Sequence, residues 1–108
     1  MTEKISIEEF QKLDIRVGKI IEVEEHPNAS KLYVLKVDLG EIRTIVAGLK
    51  PYYSKEELKG KKGIFIANIK PVVIRGIESN GMILAAGYGE NVVFLSPEKD
   101  IDEGAKIR

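Results

Sequence analysis

The sequence of 108 residues predicts an all-β protein, a five-stranded Greek-key barrel of the OB type with a short N-terminal helix and a C-terminal β extension. Short apolar runs alternate with polar residues at a period of two, turn signals separate them, and one helical segment interrupts them. A small sandwich or an SH3-like barrel remains open on this pattern alone. The length fits a single domain, within which we assign 1–13 to the helix, 14–89 to the barrel and 90–108 to the extension.

The N-terminal segment has the pattern of a short helix. Ser6 is a suitable N-cap, and Glu9 stands three residues later in the capping-box position. Ile7, Phe10 and Leu13 recur at helical spacing and form a narrow apolar stripe.

The strand pattern begins after Asp14. The first strand has an irregular step at Gly18-Lys19 or at Ile20-Ile21, which indicates a β-bulge. The pair joined by residues 38–41 has the spacing of a hairpin. Further strands are predicted at 32–39, 42–47, 62–69, 82–86 and 92–95, with a capped helical turn at 54–58.

The charge is unevenly distributed along the chain. Lys and Arg together number 17, as do Asp and Glu, so the formal net charge is zero. Residues 43–75 nevertheless carry eight basic side chains against two acidic ones, whereas both termini are acidic. This distribution gives either a local positive field that attracts a polyanion or an ordinary solvated surface of mixed charge.

The composition argues against catalysis. Cysteine is absent and His26 is the single histidine, so disulfides, thiolate metal sites and histidine pairs are excluded. No nucleophile–base pair stands out, and we expect no enzyme activity, no metal and no cofactor. No apolar run approaches the length of a membrane span and no signal peptide is evident, so we expect a soluble, cytoplasmic protein with no membrane partner.

Residues 68–82 carry the polar groups from which we predict a nucleic-acid-binding surface. Asn68 and Lys70 lie two apart on a strand, so their side chains share one face. An amide and an ammonium together suit contacts to ribose and phosphate. The alternative is a solvent-exposed edge on which the lysine prevents aggregation.

Arg75 lies in what the sequence predicts to be a long loop. The preceding apolar triplet, Val72 to Ile74, is expected to pack beneath the mouth of the barrel. Arg75 at the rim would then contact a phosphate or stack on a base, since binding residues often lie on such loops. The alternative is a simple surface charge.

Three further residues have both a structural and a functional interpretation. Ser79 precedes the turn signal Asn80-Gly81, and its hydroxyl suits bonding to its own backbone. Met82 is either core filler or an adaptable contact for a flat base. Arg43, on a strand beside the predicted groove, contacts either phosphate or a nearby acidic side chain.

Five motifs stand in order along the chain. They are Asp14–Ile20 (DIRVGKI), His26–Tyr33 (HPNASKLY), Arg43–Leu49 (RTIVAGL), Asn68–Pro71 (NIKP) and Arg75–Met82 (RGIESNGM). These motifs closely resemble the tRNA-binding domain of the methionyl-tRNA synthetase C-terminus and of endothelial monocyte-activating polypeptide II. The resemblance extends over about 14 to 108, nearly the whole chain, and its motifs follow the family's order.

The resemblance implies an OB-fold that binds tRNA by shape with little sequence preference, as a non-catalytic beta subunit or C-terminal domain of methionyl-tRNA synthetase. It implies two protein partners, the synthetase's catalytic subunit and a second copy in a homodimer. An OB-fold peptide-binding chaperone or protein-interaction module remains the alternative. The tRNA-binding residues implied by the match are Arg43, Asn68, Lys70, Arg75, Ser79, Met82 and Lys31.

Overall fold

The computed structural model describes residues 2–108, which form nine strands and two short helices. In chain order the elements are α1 Ile7–Gln11, β1 Ile15–Glu25, β2 Tyr33–Asp38, β3 Ile42–Ala47, α2 Lys55–Leu58, β4 Lys62–Ile66, β5 Val72–Ile74, β6 Ile77–Ser79, β7 Met82–Ile83, β8 Ala85–Tyr88 and β9 Asn91–Phe94.

Five antiparallel strands form the barrel, in the order β3-β2-β1-β4-β7. Its two edges meet where β6 leads into β7. The Asn80 amide donates to the Thr44 carbonyl at 2.9 Å, and the Ser79 hydroxyl accepts from the Val46 amide at 2.9 Å. This closure confirms the predicted all-β, OB-like barrel with a short N-terminal helix.

Strand β1 bends sharply enough to serve both halves of the barrel. Its register with β2 shifts between Ile20 and Glu22, which confirms the second of the two predicted bulge positions. Gly18 lies where the strand crosses the core. A Cβ there would approach Leu39 Cδ2 to 2.5 Å and Phe65 Cδ1 to 2.7 Å, so only glycine fits.

The barrel interior holds the main core, and a smaller apolar cluster lies outside it. Phe10 of the N-terminal helix and Ile107 of the tail pack against the small cluster formed by Ile15, Val17 and Ile64. The chain termini therefore cover one outer surface of the barrel. The fully buried side chains of the main core are Ile20, Leu35, Val37, Leu39, Ile45, Leu58 and Phe65.

Both helices begin with capping boxes. Ser6 accepts from the Glu9 amide while the Glu9 carboxylate accepts from the Ser6 amide, which confirms the predicted cap of α1. Ser54 and Glu57 repeat the arrangement at α2, which confirms the predicted helical turn, and α2 buries Leu58 completely. Within residues 2–108 no helix has the length and apolar character needed to cross a membrane.

Residues 72–79 form a two-stranded hairpin, β5–β6, so the expectation of a long loop there is wrong. The apolar triplet does not pack beneath the barrel mouth, because Val72 is 54% exposed and Val73 is 66% exposed. Its three residues are all β-branched, and they favour the extended conformation of a strand even where the strand is not buried.

The predicted strand 82–86 is divided between two sheets. β7 ends at Ile83, while β8 pairs with β9 in a separate hairpin. This C-terminal hairpin covers residues 85–94, so it spans the boundary predicted after residue 89. Val92 and Phe94 turn inward against the barrel core.

Candidate nucleic-acid interface

Arg43 reaches the segment just after β4, next to Asn68, from its position on β3. Arg43 is mostly buried, and its Nη1 donates to the Ala67 carbonyl at 2.6 Å. Its Nε lies 3.3 Å from a Glu41 carboxylate oxygen, in agreement with the alternative that an acidic neighbour binds it. The guanidinium therefore supports the end of β4 as well as contributing positive charge to the surface.

The side-chain amide of Asn68 joins the N-terminal helix to the barrel. Its Nδ2 donates to the Lys12 carbonyl at 2.6 Å, and its Oδ1 accepts from the Asp14 amide at 2.9 Å. Both polar atoms are thus bonded within the chain. An RNA contact by this amide would compete with, or share, these bonds.

Asp14, beside Asn68, forms the most extensive ion pair of this region. Its carboxylate accepts from Arg16 Nη2 at 2.6 Å and Nε at 2.9 Å, while Nη1 of the same guanidinium donates to the Leu39 carbonyl at 3.1 Å. The hydrogen bond from Arg16 lowers the pKa of Asp14 against the raising effect of burial, and nearby Lys106 adds to the lowering. The same bond raises the pKa of Arg16.

β4 ends at Ile66, so the predicted strand 62–69 is too long, and Asn68 and Lys70 do not lie on one strand as expected. Lys70 lies beyond the end of β4 with its side chain exposed. Within residues 2–108, neither Lys70 nor Lys31 nor Arg75 forms an ion pair. Lys70 and Arg75 are five positions apart in the chain, so their Cα atoms lie at most about 18 Å apart along β5. These cations are available to neighbouring parts of one polyanion.

Arg75 occupies the tip of the β5–β6 hairpin in a strained conformation. Ile74 pairs with Ile77, so Arg75 and Gly76 form a two-residue turn, and their φ angles of 51° and 92° make it type I′. Within the described part of the chain, Arg75 is the one residue other than glycine with a positive φ. A left-handed conformation costs a bulky residue about 1–2 kcal/mol, and such strain often accompanies function.

A shallow groove beside the hairpin tip brings Arg75 and Lys31 together. The groove lies between the turn that precedes β2 and the β5–β6 hairpin, and its remaining lining residues are Ala29, Ser30 and Leu32. The structure thus assembles two sequence-predicted cations that lie far apart in the chain.

Ser79 is buried, with 3% of its surface exposed, and its hydroxyl bonds backbone groups on both sides. It accepts from the Val46 amide at 2.9 Å and donates to the Gly81 carbonyl at 3.3 Å. The second bond agrees with the turn interpretation made from sequence. Ser79 therefore closes the barrel and anchors the base of the hairpin.

Met82 is 45% exposed, so the core-filler interpretation does not apply to most of its side chain. It pairs with Ile66 at the open end of β4, close in sequence to Ser79. Val72 and Val73 provide further exposed apolar surface on β5. An exposed methionine is an adaptable apolar side chain that can contact the flat face of a base.

Sequence reasoning missed two residues that shape this surface, His26 and Asn28. His26 Nε2 lies 3.0 Å from the Ile74 carbonyl oxygen, and Asn28 Nδ2 lies 3.5 Å from that of Arg75. The available signal was the Arg75-Gly76 pair between the β-branched run Val72–Ile74 and Ile77, a spacing that fits a two-residue hairpin turn.

The described residues 2–108 contain no group of three His, Cys, Asp or Glu side chains arranged to hold a metal ion. Apart from the exposed Glu78 carboxylate on β6, the polar groups near the hairpin are chiefly cations, amides and hydroxyls. Such a set binds and orients a polyanion. The fold and this surface together define a small nucleic-acid-binding barrel.

Comparison with known proteins identifies the family. Residues 15–106 match the family described as "Putative tRNA binding domain", and the chain belongs to that family. The methionine–tRNA ligase of Pyrococcus horikoshii is 60% identical over 107 residues, which are 98% of this chain and 15% of the ligase. The chain therefore corresponds to a tRNA-binding, non-catalytic part of such a ligase and spans about a seventh of its length.

Two solved structures have the same fold over almost the entire chain. The MetRS related protein from Pyrococcus horikoshii is 36% identical with a TM-score of 0.92, covering 99% of this chain and 100% of that one. The CsaA chaperone protein from Picrophilus torridus is 35% identical with a TM-score of 0.89, covering 97% and 100% respectively.

Proposed function

We propose that the surface formed by Lys31, Lys70, Arg75 and Met82 binds tRNA by its shape, with little sequence preference. The observation that carries the proposal is the unpaired Arg75 guanidinium at the tip of a type I′ hairpin, in a conformation that arginine rarely adopts. Lys31, Lys70 and Arg75 neutralise phosphates, while Met82 contacts an unpaired base or ribose.

Arg43, Asn68 and Ser79 have a different role in this proposal. Each bonds backbone atoms of another segment, which supports a function in shaping the surface. Arg43 also contributes positive potential at the junction of β3 and β4. Direct RNA contacts then come chiefly from side chains without intramolecular partners.

The proposed partner is the catalytic part of a methionyl-tRNA synthetase, either in the same polypeptide or as a separate subunit. Its support is the 60% identity to a segment that makes up 15% of a methionine–tRNA ligase. Tethered binding raises the effective tRNA concentration at the catalytic site without a new contact there. Aminoacylation would reside in that partner, and we propose the cytoplasm as the location because tRNA is charged there.

A homodimer is the second part of the proposal, and the C-terminal hairpin supports it. Val92 and Phe94 face the core, whereas Tyr88, 89% exposed, and Val93 lie on the opposite face. Two-stranded hairpins are marginally stable in water, so an outer apolar face of this kind gains from being covered. Ile5 and Ile7 add exposed apolar surface in the N-terminal segment.

Sedimentation of wild type and Tyr88→Glu tests the dimer. We expect the wild type to sediment as a dimer and the variant to shift toward monomer, because a buried carboxylate without a partner is strongly disfavoured. Val73→Glu, on the other exposed hairpin, is the matched control and should remain dimeric. A monomeric wild type at high micromolar concentration contradicts this part of the proposal.

A salt-dependent titration with a tRNA transcript tests the binding surface. We compare wild type with Lys70→Ala/Arg75→Asn, in which asparagine preserves the left-handed turn. Removing two phosphate contacts should lower the affinity strongly and reduce the log–log salt slope by about 1.4–1.8. The control Lys59→Ala/Lys99→Ala removes equal charge from other exposed positions and should change the slope less. Unchanged affinity in the first variant contradicts the proposal.

The competing candidate is a chaperone that holds extended polypeptide, favoured by the similarity to the CsaA structure. Exposed Val72 and Val73, on a β5 strand that pairs only with β6, are the features that suit such a ligand. The adjacent unpaired cations favour the polyanion instead. Competition between a reduced, unfolded polypeptide and tRNA discriminates the two: displacement of tRNA by equimolar polypeptide would favour the chaperone.

A further inference from the structure

Two polar side chains, His26 and Ser79, are the buried polar residues within the described residues 2–108, and both hold the β5–β6 hairpin. Ser79 anchors its base, as described above. His26, 5% exposed, contacts its tip. Burying an imidazole disfavours folding unless its nitrogens are bonded. Both ring nitrogens of His26 therefore need partners, and one of them lies on the hairpin.

The hydrogen bonds of His26 determine its tautomer. The backbone N–H of Asn28 donates to Nδ1 at 3.0 Å, so Nδ1 carries no proton. Nε2 lies 3.0 Å from the Ile74 carbonyl, an acceptor, so Nε2 carries the proton and donates it. The ring thus bridges the turn after β1 to the last residue of β5.

The same turn holds the next carbonyl as well. The side-chain Nδ2 of Asn28 lies 3.5 Å from the Arg75 carbonyl oxygen. The turn after β1 therefore bonds the carbonyls of two successive hairpin residues, Ile74 and Arg75. That segment continues directly to Lys31, which faces Arg75 across the shallow groove. One stretch of chain therefore holds the tip and supplies the second cation.

We propose that His26, assisted by Asn28, is a positioning residue that fixes the hairpin tip so that Arg75 and Lys31 form a site for one RNA phosphate. This inference rests on the proposed function for its ligand. An arginine fork and a lysine point charge together satisfy the oxygens of a phosphate. Without the bridge, the tip and its long side chain are ordered only on binding, which weakens affinity.

A double-mutant cycle tests whether His26 acts through Arg75. The variants are His26→Leu, Arg75→Asn and the two combined, titrated with a tRNA transcript at fixed salt. We expect each single variant to bind about tenfold more weakly and the combination to add little, because both remove the same contact. The matched cycle of His26→Leu with Lys70→Ala should be close to additive.

Amide hydrogen exchange supplies a readout independent of RNA. His26→Leu should accelerate exchange in residues 72–79 while leaving the barrel strands β1 to β4 unchanged. If His26→Leu folds poorly, two milder variants replace it, His26→Gln and Asn28→Ala. The glutamine side chain can still donate to the Ile74 carbonyl, so we expect intermediate losses of tRNA affinity from these variants.

The outcomes separate this inference from the proposed function. If His26→Leu binds tRNA as tightly as wild type, or if its loss of binding free energy adds to that of Arg75→Asn, the positioning role is wrong while the proposal of tRNA binding stands. A loss of affinity without faster hairpin exchange also overturns it. If Lys70→Ala/Arg75→Asn binds tRNA as tightly as wild type, the proposed function itself fails.

Discussion

The barrel and the β5–β6 hairpin are held by different forces. The barrel encloses fully buried side chains such as Leu35 and Phe65, and its strands share continuous hydrogen-bond ladders. The hairpin exposes Val72 and Val73 and is attached through polar contacts at its tip and base. Burial therefore stabilises one part, and a few directed bonds orient the other.

This difference separates stability from recognition. Lys31, Lys70 and Arg75, three cations without ion pairs, lie on the hairpin or in segments beside it, whereas the apolar side chains that determine folding lie inside the barrel. Substitutions in the core should change the free energy of unfolding with little effect on RNA affinity in the folded molecule. Substitutions at the hairpin tip should have the reverse effect.

The largest effect on stability is expected in the barrel core. Leu35→Ala leaves a cavity among residues that cannot collapse fully, and it should lower the free energy of unfolding by about 2–5 kcal/mol. Urea denaturation measures this loss. At a temperature where both proteins are folded, tRNA affinity should equal that of wild type, and a large drop in affinity would break the separation proposed above.

An intermediate effect is expected at Ser79, where barrel and hairpin join. Ser79→Ala leaves the buried Val46 amide without its acceptor, which should cost about 1–3 kcal/mol of stability. Ser96→Ala, at an exposed serine just after β9, is the control for denaturation and should be near neutral. If Ser79→Ala lowers tRNA affinity at unchanged stability, the hydroxyl contacts RNA, and its structural assignment is wrong.

The sequence predicted the barrel because its strands alternate cleanly and its caps are local. Ser6 with Glu9 and the bulge after Ile20 depend on neighbouring residues, so the pattern contains them. The β5–β6 hairpin was missed because its strands are three residues long and its turn has arginine where asparagine is usual. Its anchor, His26, lies 48 residues from Ile74, beyond any local pattern.

For the site, the sequence proposed a set of residues but did not indicate what each one bonds. The resemblance brought Asn68, Ser79 and Arg75 together as one set. The structure divides that set, because Asn68 and Ser79 are bonded to backbone groups while Arg75 has no ion pair. The spacing predicted Asn68 on a strand face, but β4 ends at Ile66. The side-chain amide of Asn68 instead bonds Lys12 and Asp14, which only the tertiary fold brings near.

A smaller effect is expected at Arg75, where one substitution should raise stability and weaken tRNA binding. Asparagine tolerates the left-handed conformation of the first central position in a type I′ turn. Arg75→Asn should therefore raise the free energy of unfolding by up to about 1 kcal/mol, because strain is relieved. It should also weaken tRNA binding and reduce the salt slope by about 0.7–0.9.

Urea denaturation and tRNA titration of the same Arg75→Asn preparation measure the expected gain in stability and the expected loss of affinity. Lys70→Ala is the matched comparison, because it removes one exposed charge without relieving strain and should weaken binding at unchanged stability. A less stable Arg75→Asn protein would mean that the guanidinium contributes to folding, and the contrast between hairpin and barrel would be lost at this position.

The smallest effect concerns the ion pair of Asp14 with Arg16, where the N-terminal segment joins the barrel. The pKa of Asp14 is lowered in the folded protein, chiefly by the hydrogen bond from Arg16, so the folded state favours the carboxylate. Its contribution to stability is present above the unfolded pKa of about 3.9. That contribution is lost as the pH falls through the lower, folded value.

Comparison of wild type with Asp14→Asn isolates this contribution, because other titrating groups affect both proteins. At pH 7 the wild type should be more stable by less than about 1 kcal/mol, as expected for a partly exposed pair. The difference should shrink as the pH is lowered from about 5 to about 2, and urea denaturation at each pH measures it. A difference that stays constant over that range would mean that the substitution disturbs packing or backbone contacts instead of removing a charge interaction, and electrostatics would then contribute nothing to stability at this junction.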